Sequence, residues 1–317
     1  MRNHLGLLLS FALGLTATGA KAASSDIALP GDRAYPESIT STADGTLYVG
    51  SIAAGGIVRI KAGSQPEVWI KPAAFDTRST FGVLADEQSQ TLWVCSNDIS
   101  AIGVQGPSNV KGSALKGFDL KTGAGKVSAA LPGERALCND MAVGPDGSVY
   151  VTNSFAPQIL RLRPGAHDLE VWASDPGFVP PAKGAGLDGI LFGPDGSLYV
   201  DTFNKAELFR VEVTDGRAGK VTRLQTSRPL VLADALRAAE GKSFLMIEGE
   251  GRLDRVTVEA GTAKIETLKD GFRQPTGVTK VGATAWVSEG QLNAAFDPAK
   301  GGPKLPFRLY AVPLNQP

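Results

Sequence analysis

Six segments of the chain repeat one local pattern: an alternating apolar run, a tight turn, and a second run ending in small or polar residues. They are "YPESITSTADGTLYVGS", "STFGVLADEQSQTLWVCS", "LCNDMAVGPDGSVYVTN", "GLDGILFGPDGSLYVDT", "LADALRAAEGKSFLMIE" and "QPTGVTKVGATAWVSE". Alternation with a period of two marks a half-buried strand, and a short polar turn between two such runs marks a hairpin. The first apolar residues of the six, Ile39, Val83, Met141, Ile190, Leu236 and Val278, recur roughly 40 to 60 residues apart, a spacing that signals an array of like units.

A third strand-like run follows each hairpin ("GGIVRIKAG", "KGFDLKTG", "QILRLRPG", "ELFRVEV", "RLDRVTV", "FRLYAVPL"), and a fourth follows in the first five units ("PEVWIKP", "KVSAALPG", "LEVWAS", "KVTRLQT", "AKIETLK"). Six units of four short antiparallel strands predict an all-β fold, a six-bladed β-propeller. The last unit lacks its fourth run. "DIALPGDRA", which repeats "AALPGERA" at the end of the second unit, is expected to supply it from the N-terminus and cover an otherwise open sheet edge. No linker-like stretch interrupts the series, so residues 23–317 read as one domain. "SNDISAIGVQGPSNVKGS" and "GFVPPAKGAG" read as loop insertions, and Asp44-Gly45, Asp146-Gly147 and Asp195-Gly196 as hairpin turns rather than metal loops.

Residues 1–22 carry Arg2 and His4, then "LGLLLSFALGL", then "AKA" before Ala23. That order is the pattern of a secretory signal peptide, and the apolar run is too short to span a bilayer. The mature protein is expected in the periplasm or secreted, with no membrane span. Lys+Arg and Asp+Glu both number 32, and this balance offers nothing to attract nucleic acid. Removing the signal removes His4 and leaves His167, in the turn-like "RPGAHDLEVW", as the one remaining histidine. A histidine-based hydrolytic triad and a multi-imidazole zinc site are disfavoured accordingly. Cys95 and Cys138 suit either a disulfide or two buried thiols, and the sequence leaves both open.

In a propeller the first strand of each blade lines the central channel, so corresponding residues converge at one mouth. The residues two before the six apolar marks are Glu37, Phe81, Asn139, Asp188, Asp234 and Thr276. Glu37, Asn139, Asp188 and Asp234 are hard oxygen donors that suit one divalent cation, Ca²⁺ before Zn²⁺, Mg²⁺ or Mn²⁺. Three carboxylates crowded on one axis repel unless a cation sits among them. Asp234 is the candidate general base, since a carboxylate beside an activated water accepts its proton. Phe81, Phe203 and Thr276 are candidates for the wall of a pocket for a small-molecule substrate.

Glu37, "NDMAVGPDGSVYVT", "GLDGILFGPDGSLYV" and "LADALR" resemble the gluconolactonase/regucalcin/luciferin-regenerating-enzyme family of six-bladed propellers over nearly the whole mature chain. The blade pattern is shared with NHL-type and strictosidine-synthase-like propellers; the family's metal set is a Glu, two Asn and an Asp from blades one, three, four and five. The resemblance implies that Glu37, Asn139 and Asp234 hold the metal, with Asp234 also the base of a lactone or ester hydrolase. Two positions depart from the family: Asp188 stands where it usually has Asn, and Leu137 where it tends to have a substrate-binding Arg. The alternative is a non-catalytic propeller of the NHL or strictosidine-synthase-like kind that binds a small ligand or a protein.

Overall fold

The alternating runs form strands because one face of each is apolar and needs cover. In the computed structural model, which describes residues 25–314, they build six antiparallel sheets. The export segment lies outside the described residues. The innermost strands are Ile39–Ser41, Ser79–Asp86, Cys138–Val143, Leu187–Phe192, Ala233–Ala238 and Pro275–Val281. Each packs against the next, and the sixth returns to the first, so the blades close into a ring. The fold is a six-bladed β-propeller. The six apolar marks of the sequence are all buried, at 1% exposure or less, and burying each side chain contributes about 1.5–3 kcal/mol.

Ring closure follows the opening repeat. Ile27–Ala28 pairs antiparallel with Arg308–Pro313, the third strand of the last blade, and completes that blade with a strand from the other end of the chain. Leu29 N–H extends the pairing to the Phe307 carbonyl at 2.8 Å. The closure is short, so packing of Leu29, Tyr35, Phe307 and Leu309 in one core cluster has to reinforce it. Tyr35 and Phe307 meet at 4.8 Å between ring centroids.

Three Asp-Gly pairs are hairpin turns, with Gly45, Gly147 and Gly196 at φ +83°, +77° and +76°. Their aspartates accept from the N–H two residues on, at 2.9 Å (Asp44), 3.0 Å (Asp146) and 3.1 Å (Asp195). These carboxylates complete turns. His167 is exposed in its loop. The run "KVTRLQT" reads as one outer strand, but it ends at Arg223, and Gln225–Thr226 forms a separate two-residue strand that pairs parallel with the outer strand Thr262–Lys269 of the fifth blade. Sequence reasoning also missed a short helix, Leu292–Phe296, in the loop of the last blade.

Cys95 and Cys138 form a disulfide, with Cα atoms 5.2 Å apart and a sequence separation of 43. It joins the second strand of blade two, Thr91–Asn97, to the inner strand of blade three. Asn97 clamps the same place from the side: its amide donates to the Cys138 carbonyl at 2.8 Å and accepts from the Cys138 N–H at 3.0 Å. A cross-link closing a loop of this length contributes about 2–4 kcal/mol. Reduction, or Cys95→Ala with Cys138→Ala, is therefore expected to lower unfolding stability by that amount. Coincident urea unfolding curves with and without reductant would contradict it.

Candidate functional site

A recurring irregularity aims the ring residues. In blade three Cys138 pairs with Asn153 and Met141 with Val151, so Asn139 and Asp140 together oppose Thr152. The same two-against-one bulge sets Asp188 and Gly189 opposite Asp201, Asp234 and Ala235 opposite Ile247, and Phe81 and Gly82 opposite Cys95. In blade six the extra residue is Thr276 alone. A bulge turns one side chain out of the alternation that would face it into a sheet. Here it turns Asn139, Asp188 and Asp234 toward the axis.

Glycine in the second bulge position lets the strands crowd there. A Cβ on Gly82 would collide with the Asn139 carbonyl oxygen, and one on Gly189 with that of Asp234. Two residues before the ring position, Tyr35, Leu232 and Gln274 hold left-handed backbone at φ 36°, 54° and 49°. Non-glycine residues adopt this region at a cost of about 1–3 kcal/mol each and persist in it where their surroundings hold them. The holding contact is a backbone bond to each carbonyl from beyond the second strand: Ile52 to Tyr35 at 3.4 Å, Gly249 to Leu232 at 2.7 Å and Gly290 to Gln274 at 3.0 Å.

Glu37, Asn139, Asp188, Asp234 and Thr276 line one space at the channel mouth together with Ser38, Gly82, Asp140 and Ala235, and they nearly fill it. Glu37, Asn139, Asp188 and Asp234 are each 5% exposed. The Asn139 amide donates to Asp188 Oδ2 and to Ser154 Oγ, both at 2.9 Å, which leaves its Oδ1 as an uncommitted acceptor. Thr276 Oγ1 donates to the Pro36 carbonyl at 2.8 Å and ties blade six to the residue before Glu37. Phe81 packs in a core cluster, and Phe203 flanks Gly249 beside Leu232; neither lines this space.

Burial holds the Glu37, Asp188 and Asp234 carboxyls well above the usual carboxylate range, and neighbouring acids add to it: Asp188 and Asp140 for Glu37, Asp140 for Asp188, and Asp188 and Glu37 for Asp234. Asp201, fully buried behind them, is raised the same way; its Oδ1 accepts from the Gly189 N–H at 2.8 Å and its Oδ2 has no hydrogen-bond partner. The donor chemistry fits a hard cation: oxygen atoms only, from four blades, with the Glu37 and Asp234 carboxylates receiving no hydrogen bond from the described residues. The donors are not drawn into a finished coordination shell, however. Among the described residues no group of three or more His, Cys, Asp or Glu has the arrangement of a metal site. Uncompensated carboxylates that repel one another have no reason to close up.

Sequence reasoning missed the strongest interaction at the axis. Arg237, on the inner strand of blade five, forms a two-pronged ion pair with Asp140 of blade three at 2.6 and 3.0 Å. The same guanidinium reaches Ser38 Oγ of blade one and the Val83 carbonyl of blade two, each at 3.4 Å. It lies below the ring space, between that space and a second cavity at the lower end of the channel. Burial alone would lower its pKa, but Asp140 more than offsets that and it remains a fixed cation. Its signal was available, as a lone arginine three residues beyond Asp234 on an otherwise small and apolar strand.

A family profile described as "Strictosidine synthase-like, N-terminal" matches residues 22–60. No curated protein matches the chain. Among solved structures, regucalcin, a calcium-binding protein from Agrobacterium tumefaciens, aligns with TM-score 0.66 and 17% identity over 92% of this chain and 96% of its own. A gluconolactonase from Xanthomonas campestris aligns with TM-score 0.62 and 16% identity over 93% and 96%. The allergen Mala s 1 from Malassezia sympodialis aligns with TM-score 0.69 and 15% identity over 93% and 99%. The chain shares their fold. Since an allergen and a gluconolactonase stand on the same frame, function has to be argued from the site.

Removing one partner of a buried ion pair leaves an uncompensated charge, at a cost of about 3–5 kcal/mol, whereas replacing both is often near neutral. Arg237→Met is expected to lose that much stability in urea unfolding, and Asp140→Asn with Arg237→Met to recover most of it. A loss below about 1 kcal/mol for the single variant would show that the pair does not hold the axis.

Proposed function

We propose that the protein is an exported, metal-dependent hydrolase of a small ester or lactone. The observation that carries this is the convergence of Glu37, Asn139, Asp188 and Asp234 on one buried space, with free acceptor atoms on Glu37, Asn139 and Asp234. Glu37, Asn139, Asp188 and Asp234 would hold a divalent cation, Ca²⁺ being favoured by an all-oxygen donor set. When bound, the cation supplies Lewis-acid polarisation of the substrate carbonyl. Asp234 accepts the proton of the attacking water and returns it to the departing alkoxide oxygen, so that a carboxylic acid and an alcohol leave. Its buried surroundings raise its basicity, as a general base requires.

Export accords with the disulfide, since such bonds persist in oxidising compartments. Among the described residues no helix is long and apolar enough to cross a membrane. Intact-mass measurement of protein from the extracytoplasmic fraction is expected to show a mature N-terminus at Ala23. Retention of residues 1–22 on all of the protein would oppose export by cleavage.

With no cation, the raised carboxyl pKa values mean that the folded state binds more protons than the unfolded state. Stability therefore falls as pH rises through the folded values. A cation reverses that loss. Ca²⁺ at about a hundred times its Kd is expected to stabilise the fold by about 3 kcal/mol, and by more at pH 8 than at pH 5, because the ligands must be deprotonated. Asp234→Asn is expected to lower kcat on a lactone panel at least about a hundredfold while metal remains bound. Protein without divalent metal, with unfolding insensitive to Ca²⁺ and no hydrolysis, supports the other reading, a non-catalytic propeller that binds a ligand. The crowding of the ring space favours that one.

A further inference from the structure

Two blades seat a tryptophan of their outer strand against the next blade. In blade one Val58 pairs with Val68 and Ile57 with Ile70, which leaves Trp69 as the extra residue of the outer strand Glu67–Ile70. Blade three repeats this, pairing Leu160 with Val171 and Ile159 with Ala173 around Trp172. Each indole packs on the tyrosine of its own blade's second strand, with ring centroids 5.2 Å apart for Tyr48 and Trp69 and 4.8 Å for Tyr150 and Trp172. Each also meets the turn between the third and fourth strands of the following blade. Trp172 Nε1 donates to the Gly216 carbonyl at 2.9 Å, and a Cβ on Gly123 would lie 3.3 Å from Trp69. Leu120 and Val213, three residues before those glycines, belong to the same apolar clusters as the two indoles.

Blade four keeps this frame and lacks the indole. Tyr199 stands opposite Arg210 in the ladder, as Tyr48 stands opposite Arg59 and Tyr150 opposite Arg161. Its outer strand, Arg217–Arg223, pairs Thr222 with Arg210 and Arg223 with Phe209, so no extra residue falls where Trp69 and Trp172 do. A cavity of about 220 Å³ remains there, lined by Pro194, Asp195 and Tyr199 of blade four and by Lys242, Phe244 and Val258 of blade five. Val258 lies three residues before Gly261, the glycine of the blade-five turn at φ +82°, and so matches Leu120 and Val213. Asp195 belongs to the hairpin beyond the far end of the inner strand from Asp188, so the cavity opens on the face away from the ring.

We propose that this slot binds a free, uncharged aromatic molecule of one or two fused rings, in the place that the chain's own indoles take in blades one and three. Tyr199 and Phe244, 5.5 Å apart between centroids and inclined at 44°, offer ring surface to a third ring. The rim carries one charge of each sign, Asp195 and Lys242, and so does not select for a charged ligand. Asp195 is itself held, accepting from Tyr199 Oη and from Arg210 Nε, both at 3.1 Å. The volume falls below that of sites for drug-sized ligands, about 300–1,000 Å³, which limits the occupant to a small ring system. This site does not depend on the chemistry of the ring mouth.

Calorimetric titration of the full mature chain with indole, phenol and cyclohexanol tests the proposal. One indole per chain is expected. Phenol is expected to bind at least about twofold more tightly than cyclohexanol, its saturated counterpart, the lower end of what one aromatic pair adds. Val258→Trp places an indole of the chain's own in the slot and is expected to weaken indole binding at least about tenfold while the unfolding midpoint is unchanged or raised. In the unaltered chain, NMR magnetisation transfer from indole protons is expected to reach Tyr199 and Phe244, a readout that needs no variant. Absence of saturable binding at millimolar indole overturns the proposal, as does transfer to residues of the ring mouth alone. Equal affinity for phenol and cyclohexanol has the same force, and so does full indole affinity in folded Val258→Trp.

Discussion

Carboxylates brought to the axis of a closed ring lose their water and face one another, and the organisation of this mouth answers that cost. Glu37, Asp140, Asp188, Asp201 and Asp234 all interact across a few ångströms of low-dielectric interior, against one buried cation, Arg237. Arg237 neutralises Asp140 directly and lowers the cost of ionising Glu37. The remaining excess is negative and points upward, toward the mouth. The position of that excess follows from where this guanidinium sits: below the ring, paired with Asp140, and bonded to groups from blades one, two and three.

The bulges explain how strands that must alternate can deliver a polar residue to the axis. In an unbroken ladder Asn139, Asp188 and Asp234, two residues from the buried apolar marks, would share their strand face and point into a blade interface. One extra residue per inner strand rotates them out without disturbing the pairing of Met141, Ile190 and Leu236 beyond. The residue opposite the bulge becomes a connector in blades two and three. Thr152 donates to the Asp188 carbonyl of the next blade at 2.6 Å, and Cys95 bonds covalently to Cys138 of the next blade. Asp201 occupies the equivalent place in blade four, which is why a fully buried acid stands there with one oxygen unpartnered.

Blade number, strand order and the closing strand were legible because each depends on local alternation and turn chemistry, which a sequence displays directly. The convergence of Glu37, Asn139, Asp188, Asp234 and Thr276 was legible for a second reason: rotational repetition turns equal sequence offsets into one place in space. What the sequence concealed has no counterpart in other blades. Arg237 and Asp140 lie 97 positions apart, and no spacing rule links them, since Asp140 appears as merely the second polar residue of "CND". The disulfide was ambiguous for the same reason, its two cysteines belonging to different blades. Phe81 shares the ring offset yet packs into a core cluster, so offset predicts the location of a Cα and not the use of a side chain.

The two parts of the mouth differ in how they are held, and that difference bears on what each is able to do. The ring is fixed from every side, by bulges, by left-handed residues locked through backbone bonds, and by the Arg237 plug, so its donors are already directed at one space before a ligand arrives. Such preorganisation favours binding and catalysis because little ordering remains to be done. The loops that open on the ring face are more exposed and hold themselves by local turns, such as Ile102 N–H to the Ile99 carbonyl at 3.1 Å and Val179 N–H to the Pro176 carbonyl at 3.3 Å, and loops of this kind vary more readily than strands. Variation in those loops would change what the mouth admits while leaving the donors of the ring in place.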